Sequence, residues 1–217
     1  MKPYFYIFLV LVLGTFIYGK ANKDNKESYK TVIEKRAERE KTVKARIDKL
    51  NESLKWKKLK CGLWKANNGD IGFKIIRGSE SGIFITDYIT NLSRENSLKS
   101  VIDLKTFKYL GSSFYKDKNY IYTYYAMAGG GNFWIVKEAD VKTFKVIGDC
   151  YAKDKNHIFG ERAMEMKLID YKTFRTKKGI GCFAKDKAGY YFWDSKLNLD
   201  KLDEYEKKAV DILKKIK

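Results

Sequence analysis

The chain has 217 residues, 45 Lys and Arg against 27 Asp and Glu, a net charge of +18 and a single His. One Pro, 16 Gly and 15% aromatic residues argue against disorder, and the length suits one domain with helical ends. With one His, a His-rich zinc site is excluded and any Ser-His-Asp or Cys-His mechanism would rest on His157 alone.

Residues 1–19 hold Lys2 and then an apolar run from Tyr4 to Tyr18. The run is shorter than the roughly 20 residues a bilayer span needs, so it reads as a secretory signal peptide, with an uncleaved N-terminal anchor as the alternative. No Cys follows at the place lipoprotein processing requires. Residues 20–60 form a basic arm with 15 Lys/Arg and 7 Asp/Glu. Asp24-Asn-Lys-Glu27 has the capping-box pattern, and no Gly or Pro follows before Gly62, so a long helix is expected. Val43, Ile47, Leu50 and Leu54 make its second half amphipathic. Ile71 to Ile89 alternates around Gly78-Ser-Glu-Ser-Gly82, which predicts a hairpin, and residues 91–100 read as a polar connector.

The strongest signal comes next. Asp103-Leu-Lys-Thr-Phe107 recurs as Asp140-Val-Lys-Thr-Phe144 and as Asp170-Tyr-Lys-Thr-Phe174. Each phrase is followed by Lys-Asp-Lys-Asn/Ala, with the second Asp at 117, 154 and 186, hence 14, 14 and 16 residues after the first. Asp117 with Asn119, Asp154 with Asn156, and Asp186 mark tight turns between short aromatic strands, because Asp and Asn bond their own backbone and Ala188-Gly189 supplies the same freedom in the third copy. The Asp-x-Lys-Thr-Phe phrase fits one N-capped helical turn, with Phe107, Phe144 and Phe174 as inward core anchors. Tyr122, Tyr124, Tyr125, Phe133 and Trp134 are candidate surface aromatics able to stack on sugar rings, although core packing is the favoured reading of the same residues. Neighbouring hairpins must stack to bury their aromatics. After Trp193, Asn198 or Asp200 is expected to cap a C-terminal amphipathic helix bearing Leu199, Leu202, Tyr205, Ala209, Ile212, Leu213 and Ile216.

These phrases resemble the repeat of the DKNYY family of uncharacterised bacterial proteins, over roughly residues 101–193. The resemblance implies a repeat architecture and a bacterial source, and no activity. The expected fold is α+β: tandem β-hairpin repeats forming a mainly antiparallel sheet domain over 61–197, a long N-terminal helix in the 20–60 arm, and a C-terminal helix over 198–217.

No motif calls for a catalytic residue, a metal or a cofactor. The turn aspartates have a structural explanation, and a calcium loop would need denser oxygen ligands. His157 sits where the other copies carry Tyr120 and Gly189, a hairpin shoulder. Cys150 and Cys182 occupy equivalent places, with Ser113 in the first copy; neighbouring strands and export would allow a bridge, but a bridge leaves Cys61 unpaired and the Ser/Cys interchange suits a small core residue equally well, so two free buried thiols are expected. Positive charge with aromatics suits a nucleic-acid binder, but export argues against that partner. It points instead to anionic envelope polymers, lipid or glycans, or to a protein partner on the basic helix. The expected function is that of a secreted or envelope-associated, non-enzymatic binding or structural module; the alternative is an envelope hydrolase using carboxylates near the turns.

Overall fold

The computed structural model describes residues 31–78, 81–92, 96–127, 129–162 and 165–216. The signal segment and the Asp24–Glu27 capping pattern lie outside them. The fold is α+β, with several small antiparallel sheets and three α-helices among the described residues. None of these helices is long and apolar enough to cross a membrane.

Residues 31–54 are helical (α1). Their Val32, Ile33, Val43 and Leu50 are exposed, whereas Asn51 Nδ2 donates to Thr86 O at 3.0 Å and Trp56, just beyond the helix, stacks on Tyr88 with ring centroids 4.1 Å apart. The helix is therefore held near its C-terminal end. The first sheet has the order β1 (Lys57–Lys58), β2 (Leu63–Lys65), β3 (Ile71–Gly78) and β4 (Phe84–Ile89), and β3 pairs with β4 from Phe73↔Ile89 to Gly78↔Phe84. The polar connector is not featureless. A ribbon of β5 (Asn91–Leu92) and β6 (Asn96–Ser97) leads into the short helix α2 (Leu98–Val101), where the Ser97 side chain accepts from Ser100 N.

Each of the three Asp-x-Lys-Thr-Phe phrases then opens a sheet of its own. In the first two, the turn is a single helical one, with Phe107 N donating to Asp103 O at 2.9 Å and Phe144 N to Asp140 O at 3.0 Å. The second sheet comprises β7 (Lys108–Gly111), β8 (Phe114–Lys116), β9 (Ile121–Tyr125) and β10 (Asn132–Ile135). The third comprises β11 (Lys145–Ile147), β12 (Tyr151–Lys153) and β13 (Ile158–Gly160). The fourth comprises β14 (Arg175–Thr176), β15 (Phe183–Asp186), β16 (Gly189–Phe192) and β17 (Ser195–Lys196). A 3-10 turn, Leu199–Lys201, is capped by Asn198. The final helix α3 (Glu204–Lys214) is capped by Asp203 through a capping box with Glu206, not by Asn198 or Asp200, because the chain makes the extra turn first.

The core is a series of clusters, each shared by successive units. Leu63, Phe73 and Ile75 of the first sheet pack with Phe107, Tyr122 and Phe133. Phe114 and Ile121 pack with Phe144, Ala152 and Phe159, and Tyr151 and Ile158 pack with Phe174 and Ala184. Phe183 and Ile180 pack with Ala209 and Leu213 of α3. Tyr122 and Phe133 are therefore not surface aromatics. Their rings stack 5.7 Å apart at an interplanar angle of 6° inside the first cluster, because the hydroxyl of Tyr122 has a buried partner. Tyr124, Tyr125 and Trp134 are half-buried.

The Phe anchors Phe107, Phe144 and Phe174 are 1%, 6% and 5% exposed. Replacing Phe144 by Ala should lower the unfolding free energy by about 3–5 kcal/mol, the usual loss at a buried Phe. Chemical denaturation of the two proteins measures it, and an unchanged midpoint would contradict the packing described.

Candidate functional site

The turn aspartates are the most buried acidic groups among the described residues: Asp117, Asp154 and Asp186 are 1%, 3% and 9% exposed. A buried carboxylate is tolerated only when its oxygens are bonded, and each of these accepts four hydrogen bonds. Asp117 Oδ1 accepts from Asn119 N and Tyr120 N at 2.7 and 2.8 Å, and Oδ2 from Asp103 N and the Tyr122 hydroxyl at 2.9 and 2.7 Å. Asp186 accepts from Ala188 N, Gly189 N, Asp170 N and the Tyr191 hydroxyl. Asp154 accepts from Asn156 N, His157 N and Asp140 N. Its fourth donor differs. Phe159 stands where Tyr122 and Tyr191 stand in the other copies and has no hydroxyl, and the His157 ring supplies Nδ1 at 3.1 Å from Oδ2 instead. The lone histidine thus completes a structural hub.

Burial opposes the charge on Asp154, but the N–H groups of Asp140 and Asn156 and the ring and N–H of His157 together hold its pKa below the ordinary carboxylate value. Asn119 and Asn156 are exposed and do not adopt positive φ; the Asp carboxylate, not a left-handed Asn, makes these turns.

A second carboxylate locks each phrase. Asp103, Asp140 and Asp170 accept from the N–H and hydroxyl of Thr106, Thr143 and Thr173, and their other oxygens pair with Lys118, Lys155 and Lys187 at 2.9, 3.0 and 2.8 Å. The same Thr hydroxyls accept from the backbone N of those lysines. The Thr143 bonds and the Lys155 ammonium hold Asp140 down at about 2, and Lys118 with Thr106, and Lys187 with Thr173, push Asp103 and Asp170 the same way. Groups whose pKa is depressed by folding stabilise the protein above their unfolded value of about 3.9 and lose that contribution as pH falls through the folded value. Denaturant midpoints should therefore drop between pH 4 and pH 2, and Asp140→Asn should flatten that drop.

The hub also predicts a rescue. Removing the fourth donor with His157→Ala should cost about 1–3 kcal/mol. Adding Phe159→Tyr, which places a hydroxyl where Tyr122 has one, should recover most of it in a double-mutant cycle; zero coupling between the two changes would exclude the substitution of roles.

The other polar concentration lies where the three copies meet. A small cleft of about 70 Å³ is lined by Gly160, Glu161, Arg162, Met166, Trp193 and Asp194. The Arg162 guanidinium lies 4.8 Å from the Tyr125 ring centre and 5.5 Å from that of Trp193. Trp193 occupies a two-residue turn between β16 and β17 at φ +54°, a conformation costly for a non-Gly residue. Its N–H donates to Cys182 O at 2.8 Å, and the buried Tyr151 hydroxyl reaches both Cys182 O and Trp193 O at 2.7 and 2.9 Å. Burial, with the Asp194 charge adding to it, raises the Tyr151 pKa well above its ordinary value, so the hydroxyl keeps its proton.

Behind the cleft, Cys150 and Cys182 form a disulfide, with Cα atoms 5.0 Å apart, in place of the two free thiols expected. The equivalent positions of consecutive copies lie close enough to bond, the alternative that the sequence left open and did not favour. Glu161 Oε2 lies 3.9 Å from Cys182 Sγ, and the donor atoms of Cys150, Glu161 and Cys182 all lie within 4.8 Å of one another. Cys61 is a free thiol. Alkylation of the denatured protein should add one label without reductant and three after reduction, read by intact mass; three labels in both states would overturn the bridge.

Sequence reasoning did not single out Glu161, Tyr151 or Arg162. Glu161 and Arg162 stand where the other copies carry Tyr124 and Tyr125, or Trp193 and Asp194, so no recurring residue marks them. No hydrogen bond links Asp117, Asp154 and Asp186 to one another among the described residues.

Comparison with known proteins agrees with the repeated phrases. No curated protein and no solved structure is significantly similar to the chain. The DKNYY family pattern matches residues 7–195, most of the chain, and the protein belongs to the DKNYY family.

Proposed function

We propose that the protein is a non-enzymatic, secreted or envelope-associated scaffold in which the second, third and fourth sheets are tandem hairpin repeats and the basic N-terminal arm continues as one long helix. The carrying observation is that each turn carboxylate accepts four hydrogen bonds inside its own copy, so the groups an envelope hydrolase would use are already engaged. The links between units support the tandem reading. Lys116 Nζ donates to Val141 O at 2.8 Å and Lys153 lies over the Tyr171 ring, the second residue of the following phrase in each case. The equivalent Lys185 donates to Ile216 O at 2.6 Å, which supports reading the segment after α3 as packed on the third copy.

Anionic envelope polymers, lipid or glycans suit the excess positive charge, which is dense on residues 20–60. The apolar run at residues 4–18 supports export or anchoring there. The purified protein should be retained on an immobilised polyanion in a salt-dependent way. Charge reversal at the exposed Arg39 and Arg46 should weaken retention, and incubation with isolated envelope polymer should release no fragments. Fragment release would favour the hydrolase reading, and retention indifferent to salt would remove the electrostatic one.

A further inference from the structure

The −4 position relative to the turn Asp is Ser113, Cys150 and Cys182 in the three copies, and all three converge on one residue, Glu161. Ser113 Oγ donates to Glu161 O at 2.5 Å and the Thr123 hydroxyl lies 3.4 Å from the same oxygen; both side chains are buried. The Ser113 hydroxyl, itself accepting from the Thr123 hydroxyl at 3.0 Å, therefore holds the Glu161 backbone, and the Glu161 carboxylate falls beside the sulfurs of the second and third copies.

We propose that Cys150, Cys182 and Glu161 form a redox-gated site for a borderline-soft divalent cation such as Zn²⁺. Two thiolates and a carboxylate are the donor types zinc selects, and three protein ligands leave a fourth position for water or another small ligand. The distances fit with little rearrangement. Zn–S of about 2.3 Å and Zn–O of about 2.1 Å in a tetrahedron require donors roughly 3.5–3.8 Å apart. The carboxylate already stands 3.9 Å from Cys182 Sγ. The sulfurs must separate by about 1.7 Å from their bonded distance, a change within reach of side-chain rotation. Glu161 also lines the open cleft, which gives the ion an entry path and the fourth position its access. The gate is the disulfide itself. A dithiol delivers two electrons and two protons, the S–S bond breaks to two thiols while the dithiol closes to its own disulfide, and cation binding releases the two protons. Oxidised, the pair offers no thiolate and the site is closed.

The full chain, reduced by a dithiol and freed of it under anaerobic conditions, is titrated with Cd²⁺ and then Zn²⁺. One equivalent should bind with a thiolate-to-cadmium charge-transfer band, absent from the oxidised protein and unchanged in Cys61→Ser. Glu161→Gln should weaken Zn²⁺ binding at least roughly tenfold in chelator competition while far-ultraviolet circular dichroism stays that of the parent. The proposal is overturned if the reduced protein binds no more cation than a Cys150→Ser/Cys182→Ser double variant, if Glu161→Gln binds as tightly as the parent, or if reduction alone unfolds the domain.

Discussion

The buried turn carboxylate is the constraint on which the rest of the structure depends. An ionised Asp removed from water is expensive unless its oxygens are matched, and here each accepts four donors, three of them from its own hairpin and one from a backbone N–H 14 or 16 residues upstream. That last bond ties the opening phrase to its hairpin. The third copy has two more residues between phrase and turn, and the hub is unchanged because the extra length is absorbed in the loop between β14 and β15. There Gly179 and Gly181 take positive φ and both donate to Asp149.

Closure within each copy leaves the hydrophobic surface to be satisfied between copies. The clusters follow one another along the chain, each joining residues of successive units. At the C-terminal end, α3 buries Ala209, Val210 and Leu213, with Ala209 and Leu213 packing against Phe183, and Lys185 closes onto Ile216. At the N-terminal end, Phe73 stacks on Phe133, and α1 is attached through Asn51 beside the Trp56 and Tyr88 rings.

Equivalent positions in the repeat carry different residues. Ser113, Cys150 and Cys182 surround Glu161, whose equivalents are Tyr124 and Trp193, and the disulfide joins only the two copies whose equivalent positions carry sulfur. His157 is another instance. The second copy carries no aromatic hydroxyl at this position and a neighbouring ring nitrogen stands in its place, leaving the hub's donor count unchanged.

The sequence by itself determined the α+β class, the family, the recurrence of the phrases and the residues that turn; of the apolar stripe expected on the last helix, Ala209 and Leu213 are buried, whereas Leu199, Tyr205 and Ile212 are exposed. The recurrence and the turns are local facts: a side chain bonding its own backbone, a Phe after Lys-Thr. Only the tertiary structure decided that the turn aspartates are buried, that Tyr122 and Phe133 are core rather than surface, that Cys150 and Cys182 pair, that Asp203 caps α3, and that Glu161 lies where three copies meet. Each of these depends on which surface of one unit covers which surface of the next. A one-dimensional pattern repeats the unit without stating its contacts, and contacts between units set burial, pairing and electrostatics.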